Sequence, residues 1–398
     1  MRVLFVTHNV PRFDGDPAGS FVLRLAVALQ AAGARVEIIA PGAPGMAARD
    51  EREGVTIHRV RYAEDADMTL AYTGTMVEQV RSSWKARFAL IGLMRALRRF
   101  TQHMGHDAER DGDAFSIVHT HWWFPTGLAL WRGFARAPKG PGRILTMHGS
   151  DVRLAHQIAP ARVLMRAVVN DHDVATAVSR WLADIVDQHV PGRRTHVAPM
   201  PVDVRHFHQP DIDARDGILF VGRLNAQKGI ADLVQALAEP SLRHVTLNVV
   251  GDGPERENVA ALARDAGVAS RIHWHGALPH AQLLPLYQRA RVVAMPSREE
   301  GLGLVAVEAQ LCGTPVVAYA SGGLTDVVRP DAGGTLVPEG DIVQFAAALA
   351  QLLDDPTRAA ECGRAAHAST VGRFSPEAVA GAYLAHYRAA LNARSGAT

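Results

Sequence analysis

The sequence predicts an α/β protein with two doubly wound parallel sheets in tandem. Strand-like apolar runs alternate with helix-like segments along the 398 residues, which is the pattern of βαβ units and parallel sheets. The same alternation begins again at GILFVGRL (217–224). The prolines of PMPVDVRHF (199–207) suit an extended connection between two domains. We therefore expect one domain over 1–203 and a second over 204–375.

The first half opens with a predicted βαβ unit. RVLFVT (2–7) is typical of a strand, and Ser20 is expected to cap a helix that stops at Gly33. RVEIIAP (35–41) follows as the second strand. Further strands of this half are predicted over 117–122, 143–149, 174–179 and 195–200.

The second half repeats this pattern, and its strands should end at one edge of a sheet where ligands bind. Its predicted strands are 217–224, 245–251, 271–276, 292–295, 316–320 and 334–338, with helices over 229–239, 257–267 and 283–290.

Composition excludes several classes of protein. The chain carries 42 Lys and Arg against 40 Asp and Glu, a balance too even for a general nucleic-acid binder. Cys312 and Cys362 stand far apart with no metal-like spacing, so neither a disulfide framework nor a zinc site is expected. The N-terminus lacks the pattern of a signal peptide, and no apolar run reaches the roughly 18 residues of a membrane span. We expect a cytoplasmic protein.

The segment EEGLGLVAVEA (299–309) places Glu300 and Glu308 around a predicted helix start. The two glycines between them oppose a continuous helix, so the helix is expected to begin within 302–304 and to run to Cys312. Backbone amides at a helix N-terminus bind anions, and carboxylates accept hydrogen bonds from hydroxyls. The segment therefore predicts a ligand with phosphate and sugar groups. The alternative is a solvated acid at each position, which the apolar neighbours of Glu308 oppose.

Two further segments of the second half point to the same ligand. VGRLNAQKGI (221–230) places Arg223 and Lys228 on a strand-to-helix loop, where two cations suit a diphosphate. The alternative is that both are solvated surface cations. GDGPE (251–255) either borders a nucleotide base or is a plain turn. It is not a G-x-G-x-x-G motif, which weakens a dehydrogenase interpretation.

The set GRL…KG, GDGPE, PSREEGLGLVAVEAQLCGTPVVA and SGG resembles the family-4 retaining glycosyltransferases of the GT-B fold. The two glutamates with seven residues between them are that family's signature. The resemblance implies two Rossmann-like domains facing across a cleft, with the C-terminal helix 376–398 returning to the first domain. It also implies a nucleotide-sugar donor as co-substrate, no bound cofactor, and an acceptor that is a glycan, a lipid-linked compound or a small molecule.

The resemblance also implies residue roles. Arg223 and Lys228 would hold the diphosphate, Glu308 the ribose and Glu300 the donor sugar. The residues implied to serve catalysis are Arg223, Lys228, Glu300 and His148. The acceptor hydroxyl would displace the diphosphate on the same face of the sugar. The other implied donor contacts are Gly19, Gly222, Gly251, Gly301, Leu302, Gly303 and Leu304. No metal is expected, and the D-x-D segments 111–113 and 211–213 are discounted because they lie in polar, loop-like sequence.

The first half departs from the family at Gly19, which follows Ala18 where relatives often have a glycine pair that contacts phosphate. His148 in TMHGSD is implied to lie near the donor sugar, the alternative being a buried histidine bonded to backbone. Asp151 would orient His148 or meet the acceptor. Trp122 and Trp123 either stack on the acceptor sugar or belong to the core.

The segment RSSWKARFALIGLMRALRRF (81–100) is predicted to form a helix with six cations, no acid and an apolar core arc. Aromatic residues lie inside its cationic face. Either this face contacts an anionic membrane surface or a charged acceptor, or it is a solvated face with scattered apolar residues.

Three functions compete at this stage: a sugar-nucleotide glycosyltransferase, a sugar-nucleotide epimerase on the same fold, and a silent nucleotide-sugar binding protein. Release of nucleoside diphosphate only with acceptor identifies the first, and donor binding without turnover identifies the third. UDP is the expected nucleotide of the donor, and GDP is the alternative.

Overall fold

The computed structural model describes residues 1–68, 70–72, 76–133, 140–210 and 215–395. By their internal contacts the residues form two compact units. Unit 1 comprises Met1–Pro201 together with the C-terminal segment from Pro376, and unit 2 comprises Val202–Ser375.

Unit 1 contains an eight-stranded sheet. Its strands are β1 (Arg2–Val6), β2 (Arg35–Pro41), β3 (Arg49–Arg52), β4 (Val55–Val60), β5 (Ile117–His121), β6 (Gly142–Met147), β7 (Val174–Ala177) and β8 (Thr195–Val197). The spatial order is β3-β4-β2-β1-β5-β6-β7-β8. Every pairing is parallel except that of β3 with β4. The order changes direction between β1 and β5, which makes the carboxyl ends of these strands a topological switch point.

Helices cover this sheet. They are α1 (Ser20–Ala31), α2 (Met76–Ser82), α3 (Trp84–Arg110), α4 (Leu128–Leu130), α5 (Ser150–Gln157), α6 (Ala159–Asn170), α7 (Arg180–His189) and, from the end of the chain, α15 (Pro376–Ser395). The last helix packs on α1 and β6. The hydroxyl of its fully buried Tyr387 shares a 2.8 Å hydrogen bond with Nδ1 of His119. The Tyr383 hydroxyl of the same helix donates to the carbonyl of Ala198.

Unit 2 contains a six-stranded sheet in which all pairings are parallel. Its strands are β9 (Asp216–Val221), β10 (Leu247–Val250), β11 (Ile272–Gly276), β12 (Ala290–Met295), β13 (Val316–Tyr319) and β14 (Thr335–Val337). The order is β11-β10-β9-β12-β13-β14, so the switch point lies between β9 and β12. The central strands β9, β12 and β13 are almost entirely buried, as expected for apolar runs in a parallel sheet.

The helices of unit 2 are α8 (Ile230–Leu237), α9 (Arg256–Asp265), α10 (Leu284–Arg289), α11 (Leu304–Leu311), α12 (Leu324–Val327), α13 (Ile342–Asp354) and α14 (Pro356–Phe374). The predicted helix after the glutamate-rich loop is α11. It begins at Leu304, inside the predicted range, and ends at Leu311, followed by Cys312 and a left-handed Gly313 (φ 66°).

The structure corrects two local predictions and adds two strands. Ser20 is the first residue of α1, and the N-cap is Gly19, whose φ of 62° is left-handed. The helix predicted over 81–100 is broken at Ser83, because the Ser83 side chain accepts from the Ala86 amide and starts α3 separately from α2. Strands β3 and β4 were not predicted. The four residues of β3 are all charged, and β4 mixes polar residues with its buried valines and isoleucine.

Candidate active site

The switch point of unit 2 brings together two loops that follow neighbouring strands. One loop follows β9 and carries Arg223 and Lys228, and the other follows β12 and carries Glu300. Asn225 organises the first loop, because its side chain accepts a 3.1 Å hydrogen bond from the Lys228 amide. Gly229 has φ 66°, and a Cβ there would lie 2.0 Å from the Pro296 carbonyl oxygen. Only glycine permits this approach of the two loops.

An ion pair joins the two loops at their centre. Lys228 Nζ donates to Glu300 Oε2, and the two side chains are only 21% and 15% exposed. The alternative of a solvated surface cation is therefore wrong for Lys228, and Glu300 is not a solvated acid. Arg223, in contrast, is exposed, and its guanidinium has no recorded partner in the part of the chain that the structure describes.

Further hydrogen bonds fix the glutamate loop against its neighbours. The Arg298 amide donates to the Gln227 carbonyl at 2.8 Å. The Arg298 guanidinium pairs with Asp232 at 2.6 Å, and Asp232 also accepts from the Tyr319 hydroxyl at 2.9 Å. Burial, followed by the hydrogen bond to Asp232, raises the pKa of Tyr319, which keeps this donor protonated. The loop is thus held in place before any ligand arrives.

The N-terminus of α11 lies next to Glu300 and has no side-chain cap. Its N-cap is Gly303 in a left-handed conformation (φ 92°), so Leu304 and its successors begin the helix without a hydrogen bond from a capping side chain. The SGG segment supports the loop, because the Gly323 amide donates to the Glu300 carbonyl at 2.7 Å. A Cβ at Gly322 would lie 2.5 Å from that carbonyl oxygen. The arrangement presents first-turn amides in the manner of an anion site.

Glu308 projects from the middle of α11 and is only 6% exposed. Its Oε1 accepts from Nε2 of His280 at 2.8 Å and its Oε2 accepts from the Tyr287 hydroxyl at 2.9 Å. The alternative of a surface glutamate is therefore wrong. Sequence reasoning missed both partners, because they lie 28 and 21 positions away in the chain.

The predicted glycines of this half have packing reasons of their own. A Cβ at Gly251, which has φ 132°, would lie 1.9 Å from the Gly222 carbonyl oxygen. A Cβ at Gly323 would lie 2.3 Å from the carbonyl oxygen of Gly301. Leu302 is buried beside them. Donor contacts by these residues remain predictions.

The switch point of unit 1 holds a cluster of histidines and aromatic rings. His8 follows β1, and its ring meets that of Trp122, which follows β5, at 4.4 Å. The Trp122 ring also lies 4.1 Å from that of His148. His121 Nδ1 and His148 Nε2 lie 3.1 Å apart in a hydrogen bond, so His148 is not the backbone-bonded histidine of the alternative interpretation.

Burial keeps these histidines neutral. It lowers the pKa of His8 to about 4 and that of His121 to about 3. The pKa of His148 also lies well below its ordinary value, because of burial first and then the neighbouring His121 and His8. A neutral imidazole can donate at one nitrogen and accept at the other. Nδ1 of His8 and Nε2 of His121 have no hydrogen-bond partner in the described residues.

Asp151 has a clear structural function at this site. Its Oδ1 accepts from the amides of His148 and Gly149, and its Oδ2 accepts from the amide of Trp123 at 3.0 Å. The carboxylate thereby ties the His148 turn to the loop after β5. The two roles predicted for Asp151 were orientation of His148 and contact with the acceptor. The hydrogen bonds agree with the first role, and Asp151 is only 2% exposed.

Trp122 and Trp123 belong to the core, which is the second of the two interpretations offered by the sequence. Trp123 is 1% exposed and donates from Nε1 to the Asp151 carbonyl at 2.6 Å, and Trp122 is 5% exposed. Neither has a free face for stacking on a sugar.

Gly19 packs close to the loop after β1, since a Cβ there would lie 2.3 Å from the Asn9 carbonyl oxygen.

Among the described residues, no group of three or more His, Cys, Asp or Glu side chains is placed to hold a metal ion. Of the two D-x-D segments, 111–113 belongs to the described chain and 211–213 lies outside the described residues. Within the described chain, no helix combines the length and apolar character needed to cross a membrane.

Two parallel α/β units of this topology are the architecture of the GT-B fold, and unit 2 carries the family's pair of glutamates at its switch point. The family model of the group 1 glycosyl transferases matches residues 205–369, and that of glycosyltransferase family 4 matches residues 18–206. The chain belongs to this glycosyltransferase family and is a transferase of EC 2.4 type.

Individual relatives agree with this assignment. The D-inositol 3-phosphate glycosyltransferase of Segniliparus rotundus is 34% identical over 373 residues, which cover 86% of this chain and 77% of the relative. The GDP-mannose-dependent alpha-(1-6)-phosphatidylinositol monomannoside mannosyltransferase of Mycolicibacterium smegmatis is 34% identical over 265 residues, covering 61% of this chain and 69% of the relative.

Solved structures share the fold. Sucrose-phosphate synthase from Thermosynechococcus elongatus matches with a TM-score of 0.76 and 24% identity, covering 97% of this chain and 98% of that chain. Anabaena HepE in complex with UDP and glucose matches with a TM-score of 0.71 and 18% identity, covering 98% and 99%.

Proposed function

We propose that this protein is a retaining, metal-independent glycosyltransferase that moves a sugar from a nucleoside-diphosphate sugar to an acceptor hydroxyl. A UDP-sugar is the favoured donor and a GDP-sugar the alternative. The observation that carries the proposal is the contact of Lys228 with Glu300 at the switch point of unit 2, beside the uncapped amides of α11. Cation, amides and carboxylate are the groups that a diphosphate attached to a sugar requires.

Lys228 and Arg223 differ in how they would meet the diphosphate. Arg223 is exposed and ready to pair with a phosphate, whereas Lys228 is already paired with Glu300. When a diphosphate takes the ammonium group, the Glu300 carboxylate is released to accept hydrogen bonds from sugar hydroxyls. Donor binding would thus exchange one internal ion pair for two ligand contacts.

The proposed chemistry is a same-face displacement. The bond between the anomeric carbon and the diphosphate oxygen breaks as the acceptor oxygen bonds to that carbon from the same side. The departing oxygen takes the acceptor's proton. The main task of the protein is to stabilise charge on the leaving diphosphate, which is the part assigned to Arg223, Lys228 and the α11 amides. The neutral His148 would act as a hydrogen-bonding group for the sugar.

The names of similar proteins include both candidate nucleotides. One relative is named as GDP-mannose-dependent, and the HepE structure holds UDP and glucose. The test is a nucleotide-release screen of UDP- and GDP-sugars with and without candidate acceptors. Release that requires acceptor supports the proposal, and a product with the donor's anomeric configuration supports retention. Conversion of the donor to another nucleotide sugar without release would favour an epimerase, and binding without turnover would favour a silent binding protein.

Metal independence has its own test. Because Arg223 and Lys228 supply positive charge at the diphosphate, activity should be unchanged by EDTA. Activity that EDTA abolishes and Mn²⁺ restores would overturn this part of the proposal.

We also propose that α3 gives the protein a peripheral contact with the cytoplasmic face of an anionic membrane. Trp84 and Phe88 are each 66% exposed and Ile91 is 45% exposed. At about 100° per residue, these three positions and the exposed Arg95 lie within about 60° of the helix circumference. Exposed aromatic side chains beside cations are typical of interfacial helices.

Not all of the six cations are available to lipid. Arg87 donates to the Val80 carbonyl and Arg98 to the Trp131 carbonyl, so these two hold the helix in place. Arg95 and Arg99 are exposed and have no recorded partner among the described residues.

Sedimentation with vesicles rich in phosphatidylglycerol tests this contact. Binding should exceed that to phosphatidylcholine vesicles, weaken with salt, and fall in the Trp84→Ala/Phe88→Ala double variant. Val343→Ala is the matched control, because Val343 is 65% exposed in unit 2. Equal binding by the double variant and the control would contradict the proposal.

A further inference from the structure

The carboxylate of Glu308 is held by two side chains that the sequence motif does not contain. Tyr287 is fully buried, and burial, followed by the charge of Glu308, raises the pKa of its hydroxyl well above the ordinary value. Tyr287 is therefore a permanent O–H donor to Oε2. His280 lies on the other side of the carboxylate and donates from Nε2 to Oε1 at 2.8 Å.

His280 is itself positioned by packing. It begins the short 3-10 helix His280–Gln282, directly after Pro279. Its ring meets the buried Phe207 edge-on at 5.0 Å, and Phe207 in turn meets the ring of Tyr287 at 5.7 Å. The imidazole keeps 29% of its side-chain surface exposed, whereas the Glu308 side chain is 6% exposed. One donor to Glu308 is thus deep in the core and the other is at the surface of the site.

The two donors leave a defined part of the carboxylate free. An ionised carboxylate offers about four lone-pair positions on its two oxygens. Tyr287 and His280 occupy one position on each oxygen, so one acceptor position remains on each. Two parallel acceptors match a pair of adjacent hydroxyls. A carboxylate free to rotate would lose this match, because its oxygens would no longer have fixed directions.

We infer that His280 is a positioning residue that fixes the Glu308 carboxylate for the adjacent ribose hydroxyls of the donor nucleotide. This inference rests on the proposed function, because the ribose comes with the nucleotide-sugar donor. It adds a residue outside the Glu300–Glu308 motif to the determinants of donor affinity. Because His280 acts through Glu308, it contributes to nucleotide binding and has no direct part in bond breaking.

The test measures binding of UDP and of 2′,3′-dideoxy-UDP by calorimetry, with GDP and its dideoxy analogue in parallel. His280→Ala should raise the Kd of the intact nucleotide about fivefold, in the range of coupling between contacting groups. It should leave the Kd of the dideoxy nucleotide almost unchanged. His280→Gln should restore much of the affinity, because its terminal amide can donate from nearly the same place.

The control variant is His275→Ala, which removes an exposed histidine of the same unit whose recorded partner is Asn248. In turnover assays His280→Ala should raise the donor KM and leave kcat close to wild type. Equal weakening of the ribose and dideoxy nucleotides by His280→Ala would overturn the inference, because it would show a general structural effect. Wild-type protein that binds neither UDP nor GDP would instead contradict the proposed function.

Discussion

The two units place different chemistry at the same position of the same kind of sheet. At the β9/β12 switch point of unit 2 the side chains are charged, and Lys228 pairs with Glu300. At the β1/β5 switch point of unit 1 the side chains are His8, Trp122 and their neighbours, and burial lowers the pKa of the histidines. Partly exposed charges suit a charged ligand, whereas neutral imidazoles suit hydroxyls. Topology therefore gives the two clusters the same kind of position in their sheets, and the local sequence gives them different charge.

The largest expected effect is on the charged site. Lys228→Ala should reduce turnover at saturating donor by roughly a hundredfold or more, because one charge-stabilising contact is worth about 3 kcal/mol. Lys85→Ala is the control, since this lysine is 64% exposed on α3. Initial rates of nucleotide release measure both variants. A near-wild-type rate for Lys228→Ala would remove Lys228 from the diphosphate site.

Glu300 should separate binding from turnover. In Glu300→Gln the Lys228 ammonium loses its internal counter-charge and becomes free for phosphate. We expect a Kd for UDP equal to or below that of wild type, but kcat lowered by roughly tenfold to a hundredfold, since a hydrogen bond to a charged group contributes about 1.5–3 kcal/mol. Calorimetry and initial rates provide the two quantities. Loss of UDP affinity in this variant would show that Glu300 does not compete with the diphosphate.

The neutral site of unit 1 should respond in the opposite manner. His148→Ala should lower kcat about tenfold, the effect of about one neutral hydrogen bond, and leave the Kd of UDP unchanged. His106→Ala, an exposed histidine of α3, is the matched control. If His148→Ala weakened UDP as strongly as Lys228→Ala does, the contrast between the two units would fail.

The last expected effect is on stability against acid. The folded chain holds His8 and His121 neutral, with pKa values of about 4 and 3 against an ordinary 6.5. Below pH 6.5 the unfolded chain binds protons that the folded chain does not. The stability that each neutral histidine contributes is therefore complete well above pH 6.5 and is lost as the pH falls towards the folded pKa, about 4 for His8 and about 3 for His121. Each histidine contributes a loss of up to about 1.4 kcal/mol per pH unit.

His8→Asn should reduce this loss relative to wild type. The measurement is the thermal midpoint at pH 7.5 and at pH 5, with His106→Asn as the control. An unchanged acid sensitivity in His8→Asn would show that His8 is not held neutral by the fold.

Much of the donor side could be predicted because its signals are local. A strand, a glycine-bearing loop and a helix start follow one another within the short segment 292–304, so the position of Glu300 follows from the sequence. The partners of Glu308 could not be predicted in this way. His280 and Tyr287 lie on other segments, and only packing around Phe207 brings them to the carboxylate.

The sequence by itself determined the class of fold, the strand-to-helix loops of both switch points and the charged residues at the switch point of unit 2, because hydrophobic periodicity and glycine placement act over short distances. Only the tertiary structure decided which of these groups are already paired. It decided that Lys228 is bound to Glu300, that Asp151 serves backbone amides, and that the switch-point histidines His8, His121 and His148 are neutral. The physical reason is that burial and hydrogen-bond partners depend on contacts between segments far apart in the chain.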